Sequence, residues 1–139
     1  MVDEGRVVRL LRGISERTGR LRTAYKSEAH ERGDLWLDGI TYLLVTTIES
    51  CVDVAQHLAS SENFGAPNSN AGALRELGSR GVIDHTLAED LARAVGFRNV
   101  RVHQYVEVDD AMVLTAWERL ADFDSFVSQL SEWLAEQRE

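Results

Sequence analysis

A single cysteine, Cys51, excludes an internal disulfide, and the chain reads as intracellular. There is one proline, Pro67, so little interrupts helices elsewhere. No apolar run approaches the ~18 residues of a membrane span. Acidic Asp3 and Glu4 open the chain where a secretory leader would be basic. A cytoplasmic protein with no membrane partner is therefore expected. Period-two runs of β-branched residues are missing, which argues against a sheet. Repeats, low-complexity tracts, phosphate-binding glycine loops and zinc-type ligand spacing are missing too. So is a basic surplus: a net charge of −8 excludes a general nucleic-acid coat protein, because such binding rests on phosphate neutralisation, and gives no reason to expect DNA as a partner.

The charge that is present is unevenly spread. Residues 1–32 carry eight Lys and Arg against five Asp and Glu, whereas residues 107–139 carry two against nine. This polarity suits charge-complementary packing of the two ends, a local basic cleft, or merely solvated helix faces. At 139 residues the chain is expected to form one domain, residues 1–139, burying roughly 68% of its unfolded surface.

Helical spacing dominates. Val7, Leu11, Ile14, Leu21 and Tyr25 predict a first helix over about Gly5 to His30. Gly5, Gly13 and Gly19 weaken it, so it must be held by packing or bend locally. Gly33-Asp34 ends it, with Asp34 as the expected N-cap of a second helix, Leu35 to Ala59. Leu37, Thr41, Leu44, Ile48, Cys51, Ala55 and Leu58 alternate there at four and three, and Leu43, Val45, Val52 and Val54 widen the apolar surface. A helix apolar over so much of its circumference is central to a bundle or also lines an interface, and a dimer is expected. Ser60 to Asn70 is a loop by composition. Ser69 or Asn70 can cap a short helix, Ala71 to Leu77, closed by Gly78 and Gly81. Asp84 starts a fourth helix, His85 to Tyr105. Val113, Trp117, Leu120, Phe123, Val127, Leu130 and Leu134 predict a last one, Ala111 to Gln137. The expected fold is all-α: an antiparallel helical bundle of four long helices and one short one.

Chemistry concentrates in Gly96-Phe97-Arg98-Asn99-Val100-Arg101-Val102-His103-Gln104-Tyr105. Arg98 is a fixed cation with donors suited to a phosphate. His103 can move protons near neutral pH, as general base on a ribose 2′-hydroxyl or as acid at the leaving oxygen. Arg98 would stabilise charge gathering on the phosphate oxygens. Asn99, one turn before His103, could orient the imidazole or donate to the phosphate. Tyr105 offers a phenol for substrate contact or modification. On a straight helix, however, Arg98 and His103 stand roughly 140° apart. An apolar strip of Leu91, Val95, Val102 and Val106 lies between them. A site using both needs a shallow groove across that strip, or a second copy of the helix facing the first. The spacing also fits a plain helix end, with Arg98 and Arg101 favouring the dipole and His103 at the surface.

Other groups have simpler readings. Asp53 and His57, four apart on the second helix, could hydrogen-bond as supporting residues; a di-metal bundle would need Glu-x-x-His motifs on several helices, so no metal and no cofactor is expected. Cys51 lies on an apolar stripe and reads as a small core residue. Trp36, Trp117 and Trp133 could stack bases, but burial is the expectation for all three.

The window resembles the R-x4-H-x-Y signature of the HEPN superfamily, and specifically its HepT-like branch of ribonucleases. Arg98, His103 and Tyr105 fill the three fixed positions, and Asn99 matches the polar residue after the arginine. The segment from Glu49 to His57, the loop Ala66-Pro67-Asn68-Ser69 and the entry Gly81-Val82-Ile83-Asp84 extend the likeness over about residues 30–130. Arg101 departs from it, since many relatives carry an apolar residue there; in the implied cleft it would add positive charge and position substrate. The resemblance implies a helical homodimer with the motif in an interface cleft. It further implies a metal-independent endoribonuclease toxin of a toxin–antitoxin system, with transfer RNA among the targets. The implied partner is an MntA-like nucleotidyltransferase antitoxin that transfers AMP onto Tyr105. Two other readings stand beside it: a non-catalytic helical bundle that docks a minimal nucleotidyltransferase, and a purely structural adaptor.

Overall fold

The computed structural model of the chain describes residues 2–26, 33–103 and 117–139, with the side chains of Asp34 and of residues 98–103 outside that description. Five helices are described: α1 (Glu4–Tyr25), α2 (Asp34–Ser61), α3 (Asn70–Ser79), α4 (His85–His103) and α5 (Leu120–Gln137). No strand occurs among the described residues. Among the described residues the architecture is the expected all-α bundle of four long helices and one short one.

Helix α1 is held by its packing. Val7, Leu11, Ile14, Thr18, Leu21 and Tyr25 recur on one face and all are buried, and its three glycines do not interrupt it. Asp3 caps it, its carboxylate accepting the Arg6 N–H at 3.1 Å. It is described to Tyr25, where the Lys26 N–H reaches the Thr23 and Ala24 oxygens; residues 27–30 of the predicted run lie outside the described residues. Helix α2 begins one residue earlier than predicted. Gly33, not Asp34, is its N-cap, and the first helical bond runs from the Leu37 N–H to the Gly33 oxygen at 3.0 Å.

Helix α2 occupies the centre, packing on α1, α3 and α4. Its wide apolar surface is largely consumed there: Leu44, Val54, Ala55 and Leu58 are buried to 1% or less exposure. Fully burying a side chain of this size contributes about 1.5–3 kcal/mol. Leu35 and Tyr42, 86% and 68% exposed, are the large apolar residues it leaves outside. Among the described helices α2 alone is long and apolar enough to cross a membrane, and half of that stretch is buried inside the bundle.

Long-range bonds set the helix directions. The Trp36 indole donates to the Ala24 oxygen (3.2 Å) and the Asp3 N–H donates to His57 Nε2 (3.0 Å), so α2 runs antiparallel to α1. Arg22 pairs with Asp124 and Arg138 with Glu4, so α5 also runs antiparallel to α1. Helix α4 opposes α5, with Asp84 on Gln129 and Arg119 reaching Asp90. The C-terminal end of α4 therefore lies at the same end of the bundle as Tyr25 and Trp36.

The last helix differs from expectation. The predicted run from Ala111 lies partly outside the described residues, and within them it is broken: Glu118 and Arg119 form a turn, and α5 starts at Leu120. From Leu120 onward the predicted stripe holds, with Leu120, Phe123, Phe126, Leu130 and Leu134 buried. Trp117 lies on the far side of the break and is not a core residue; it is 37% exposed.

Helix α3 is capped by Ser69, whose hydroxyl accepts the Gly72 N–H at 2.9 Å. Gly81, at φ +74°, supplies the left-handed residue after the cap. The Val82 N–H reaches back to the Leu77 oxygen at 3.0 Å, and both side chains are buried, completing a Schellman closure. Gly78 is inside the helix rather than beyond it. A Cβ there would meet the Ala88 methyl at 2.6 Å, so Gly78 is what allows α3 and α4 to approach.

Gly78→Ala should lower the free energy of unfolding by about 1–3 kcal/mol in urea titration, the cost of overpacking. Helix propensity alone would raise it by about 1 kcal/mol, so the sign distinguishes the two effects. Adding Ala88→Gly should restore part of the loss.

Candidate functional site: the second half of helix α4

The first half of α4 is anchored on all sides. Asp84 accepts the Leu87 N–H on Oδ1 at 2.7 Å, and Gln129 Nε2 donates to its Oδ2 at 2.7 Å. Gln129 Oε1 accepts the Asp84 N–H in return, also at 2.7 Å. These bonds, the Leu87 amide first and Gln129 next, hold the Asp84 carboxyl below its usual range. Leu87, Ala88, Leu91, Ala92 and Val95 are buried beneath.

The second half carries the candidate residues predicted from the sequence. Arg119 reaches Asp90 at 3.7 Å across the start of α5, and α4 then continues thirteen residues to His103. Arg98 lies about 12 Å beyond Asp90 along that axis. The helical backbone includes Arg98, Asn99, Arg101 and His103, so the predicted circumferential separation of roughly 140° between Arg98 and His103 holds. Their side chains lie outside the description, as does Tyr105 altogether. Of the predicted apolar strip, Leu91 and Val95 are buried at 2% and 3% exposure; Val102 and Val106 are not described.

Asp53 and His57 belong to another region. His57 Nε2 accepts the Asp3 N–H where α1 begins. Asp53 is exposed on a groove of about 440 Å³ between α1 and α2, which Arg17, Arg20, Tyr42 and Ser50 also line. His57 lies 21 residues, about 30 Å, along α2 from Trp36 and so toward the opposite end of the bundle from the C-terminus of α4. Cys51 is 1% exposed, and burial pushes its thiol far above the usual range, which removes it as a nucleophile. His85 is exposed at the start of α4. Among the described residues no three His, Cys, Asp or Glu side chains converge as metal ligands would.

Two features escaped sequence reading. Gln129 is a polar residue on an ordinary amphipathic helix, and its clamp on Asp84 spans 45 residues. The aromatic group at the motif end joins Tyr25, Trp36 and Trp117 from three separate segments. No local pattern announces either.

A family model described as "Ribonuclease HepT-like" matches residues 11–130. The chain is 29% identical over 110 residues to the mRNA nuclease HepT of Shewanella oneidensis, covering 78% of this chain and 83% of that one. It is 29% identical over 93 residues to the tRNA nuclease HepT of Aphanizomenon flos-aquae, covering 66% of this chain and 63% of that protein's length. Among solved structures, the tri-AMPylated Shewanella oneidensis HEPN toxin in complex with its MNT antitoxin superposes with a TM-score of 0.84. That match is at 24% identity and covers 95% of this chain and 99% of the other. A cytosolic protein of unknown function from Bacillus subtilis, YutE, superposes equally well (0.84) at 14% identity, over 98% and 93% of the two chains. At these identities the superpositions establish the fold.

Asp84→Ala should destabilise the protein by roughly 1 kcal/mol, the usual worth of an N-cap. Because the folded carboxyl titrates below its unfolded value, its stabilisation is full above the unfolded value and fades as pH falls through the folded one. The acid limb of a melting-temperature profile should therefore be shallower in Asp84→Asn than in the parent.

Proposed function

The chain belongs to the ribonuclease HepT-like family, and from that premise we propose that it is the endoribonuclease toxin of a toxin–antitoxin system. The observation that carries the reading is the continuous α4 backbone through Arg98 and His103, inside the segment the family model matches. Both relatives described above are nucleases by name.

In the proposed reaction His103 takes the proton of a ribose 2′-hydroxyl, which attacks the adjacent phosphorus. The 5′-oxygen of the next nucleotide leaves and takes a proton in turn. A 2′,3′-cyclic phosphate and a free 5′-hydroxyl result, and no water is consumed. Arg98 holds the phosphate and neutralises charge building on its oxygens. Asn99 and Arg101 position the strand. Since the helix separates Arg98 from His103 around its axis, a cleft between two copies of α4 would let one chain's guanidinium serve the other's imidazole. A homodimer with a shared cleft is thus part of the proposal, as are a single-domain chain and a cytoplasmic location. Asp53 and His57 could support such a cleft only from the second chain.

Control is proposed at Tyr105. A nucleotidyltransferase antitoxin would direct the phenol oxygen at the α-phosphorus of ATP, with pyrophosphate leaving and the phenolic proton passing to solvent. The added phosphate would sit two residues from His103 and seven from Arg98 along the chain, where its charge would compete with substrate phosphate. A bundle that merely docks the nucleotidyltransferase is the second reading. The presence of both Arg98 and His103 favours the enzyme over it.

Purified protein should cleave total RNA in EDTA, and His103→Ala and Arg98→Ala should each slow cleavage by about 10²–10⁴-fold. Equal cleavage by all three proteins would overturn the nuclease in favour of the docking module. With the antitoxin and ATP, intact-protein mass spectrometry should show AMP added to the parent and not to Tyr105→Phe; addition to both would remove Tyr105 as the control point.

A further inference from the structure

Trp117 is a large aromatic side chain at the motif end that remains 37% exposed. The ring is not loose. It rests on Tyr25, with centroids 4.6 Å apart and planes at 51°. Tyr25 is itself only 6% exposed and meets Trp36 edge-on, at 6.0 Å and 89°. Trp36 is tied in turn by its indole N–H to the Ala24 oxygen at 3.2 Å. Three segments distant in sequence thus hold one indole with part of its surface open to solvent.

Its position follows from the chain. Trp117 is two residues before Arg119, hence within about 7.6 Å of it by Cα. Arg119 reaches Asp90 on α4, two helical turns before Arg98. The turn at Glu118 and Arg119 keeps Trp117 out of the buried register of α5.

We propose that Trp117 is a stacking platform for an unpaired base of the RNA substrate, one or a few nucleotides from the bond cleaved at the α4 motif. The inference rests on the ribonuclease reading and adds a substrate-positioning residue to it. Every base has a π-face, so an indole fixed in advance can hold single-stranded RNA without reading its sequence and with little ordering entropy to lose. Local charge adds little: Arg93 and Arg119 share Asp90, and Asp122 and Glu118 stand close by. The contact is therefore stacking, and its salt dependence should be small.

The test uses the full-length chain carrying His103→Ala, so that RNA stays intact, and titrates oligouridylate while tryptophan fluorescence is read. Binding should quench emission. Adding Trp117→Ala should weaken binding by about 5- to 100-fold with the slope against salt unchanged. Trp117→Phe, which keeps a ring on Tyr25, should retain most of the affinity and lose most of the quench. Melting curves of each variant show whether the bundle is intact. Unchanged affinity in a folded Trp117→Ala protein, or a residual quench of parental size in Trp117→Phe, would overturn the platform while leaving the nuclease reading in place. No binding by the Trp117-containing protein would overturn both.

Discussion

The Ala88 methyl occupies the space that a side chain on Gly78 would need, with an ideal Cβ coming within 2.6 Å. That contact brings the backbones of α3 and α4 together, and much of the molecule depends on it. The Schellman turn at Gly81 reverses the chain, and the Asp84 cap that starts α4 comes five residues after the end of α3. Gln129 then locks that start from α5. With its first half fixed so closely, α4 can carry its second half past the beginning of α5. For the proposed reaction such an anchored origin would matter, because groups that are already placed need less reordering when substrate arrives.

Charge is organised along the same axes. The basic N-terminal segment becomes α1 and the acidic C-terminal segment becomes α5, and these two helices pack antiparallel. Arg22 with Asp124 follows the expected polarity; Glu4 with Arg138 reverses it at the other end. Each exposed pair contributes less than about 1 kcal/mol. Their role is better seen as selecting the pairing of helices than as holding them. For a chain of net charge −8, the proposed affinity for RNA would have to come from placed contacts rather than from a diffuse positive field.

Helix existence was legible because apolar spacing and burial express the same periodicity. Val7 through Tyr25 in α1 and Leu120 through Leu134 in α5 are buried as their spacing requires. Boundaries were legible where a side chain makes the cap, as at Ser69 and Asp84. They were misread where the backbone alone decides, as at Gly33, which caps α2 with no side-chain bond, and at the turn of Glu118 and Arg119. Trp117 is the instructive case. Its spacing of three from Leu120 suggested a core position, but spacing carries meaning only while the helix is continuous.

The motif on α4, the family it belongs to and the five helices are properties of the sequence alone, since they rest on residue type and local periodicity. Three matters were decided only in three dimensions. One is that Gly78 serves a helix contact rather than a helix end, which depends on what faces it. Another is that His57 is engaged with the N-terminus of α1, about 30 Å along α2 from the motif end. The third is that a tryptophan just before α5 rests on a tyrosine of α1, at the end of the bundle toward which α4 runs. Each depends on distances between residues far apart along the chain, and a one-dimensional pattern contains no such distances.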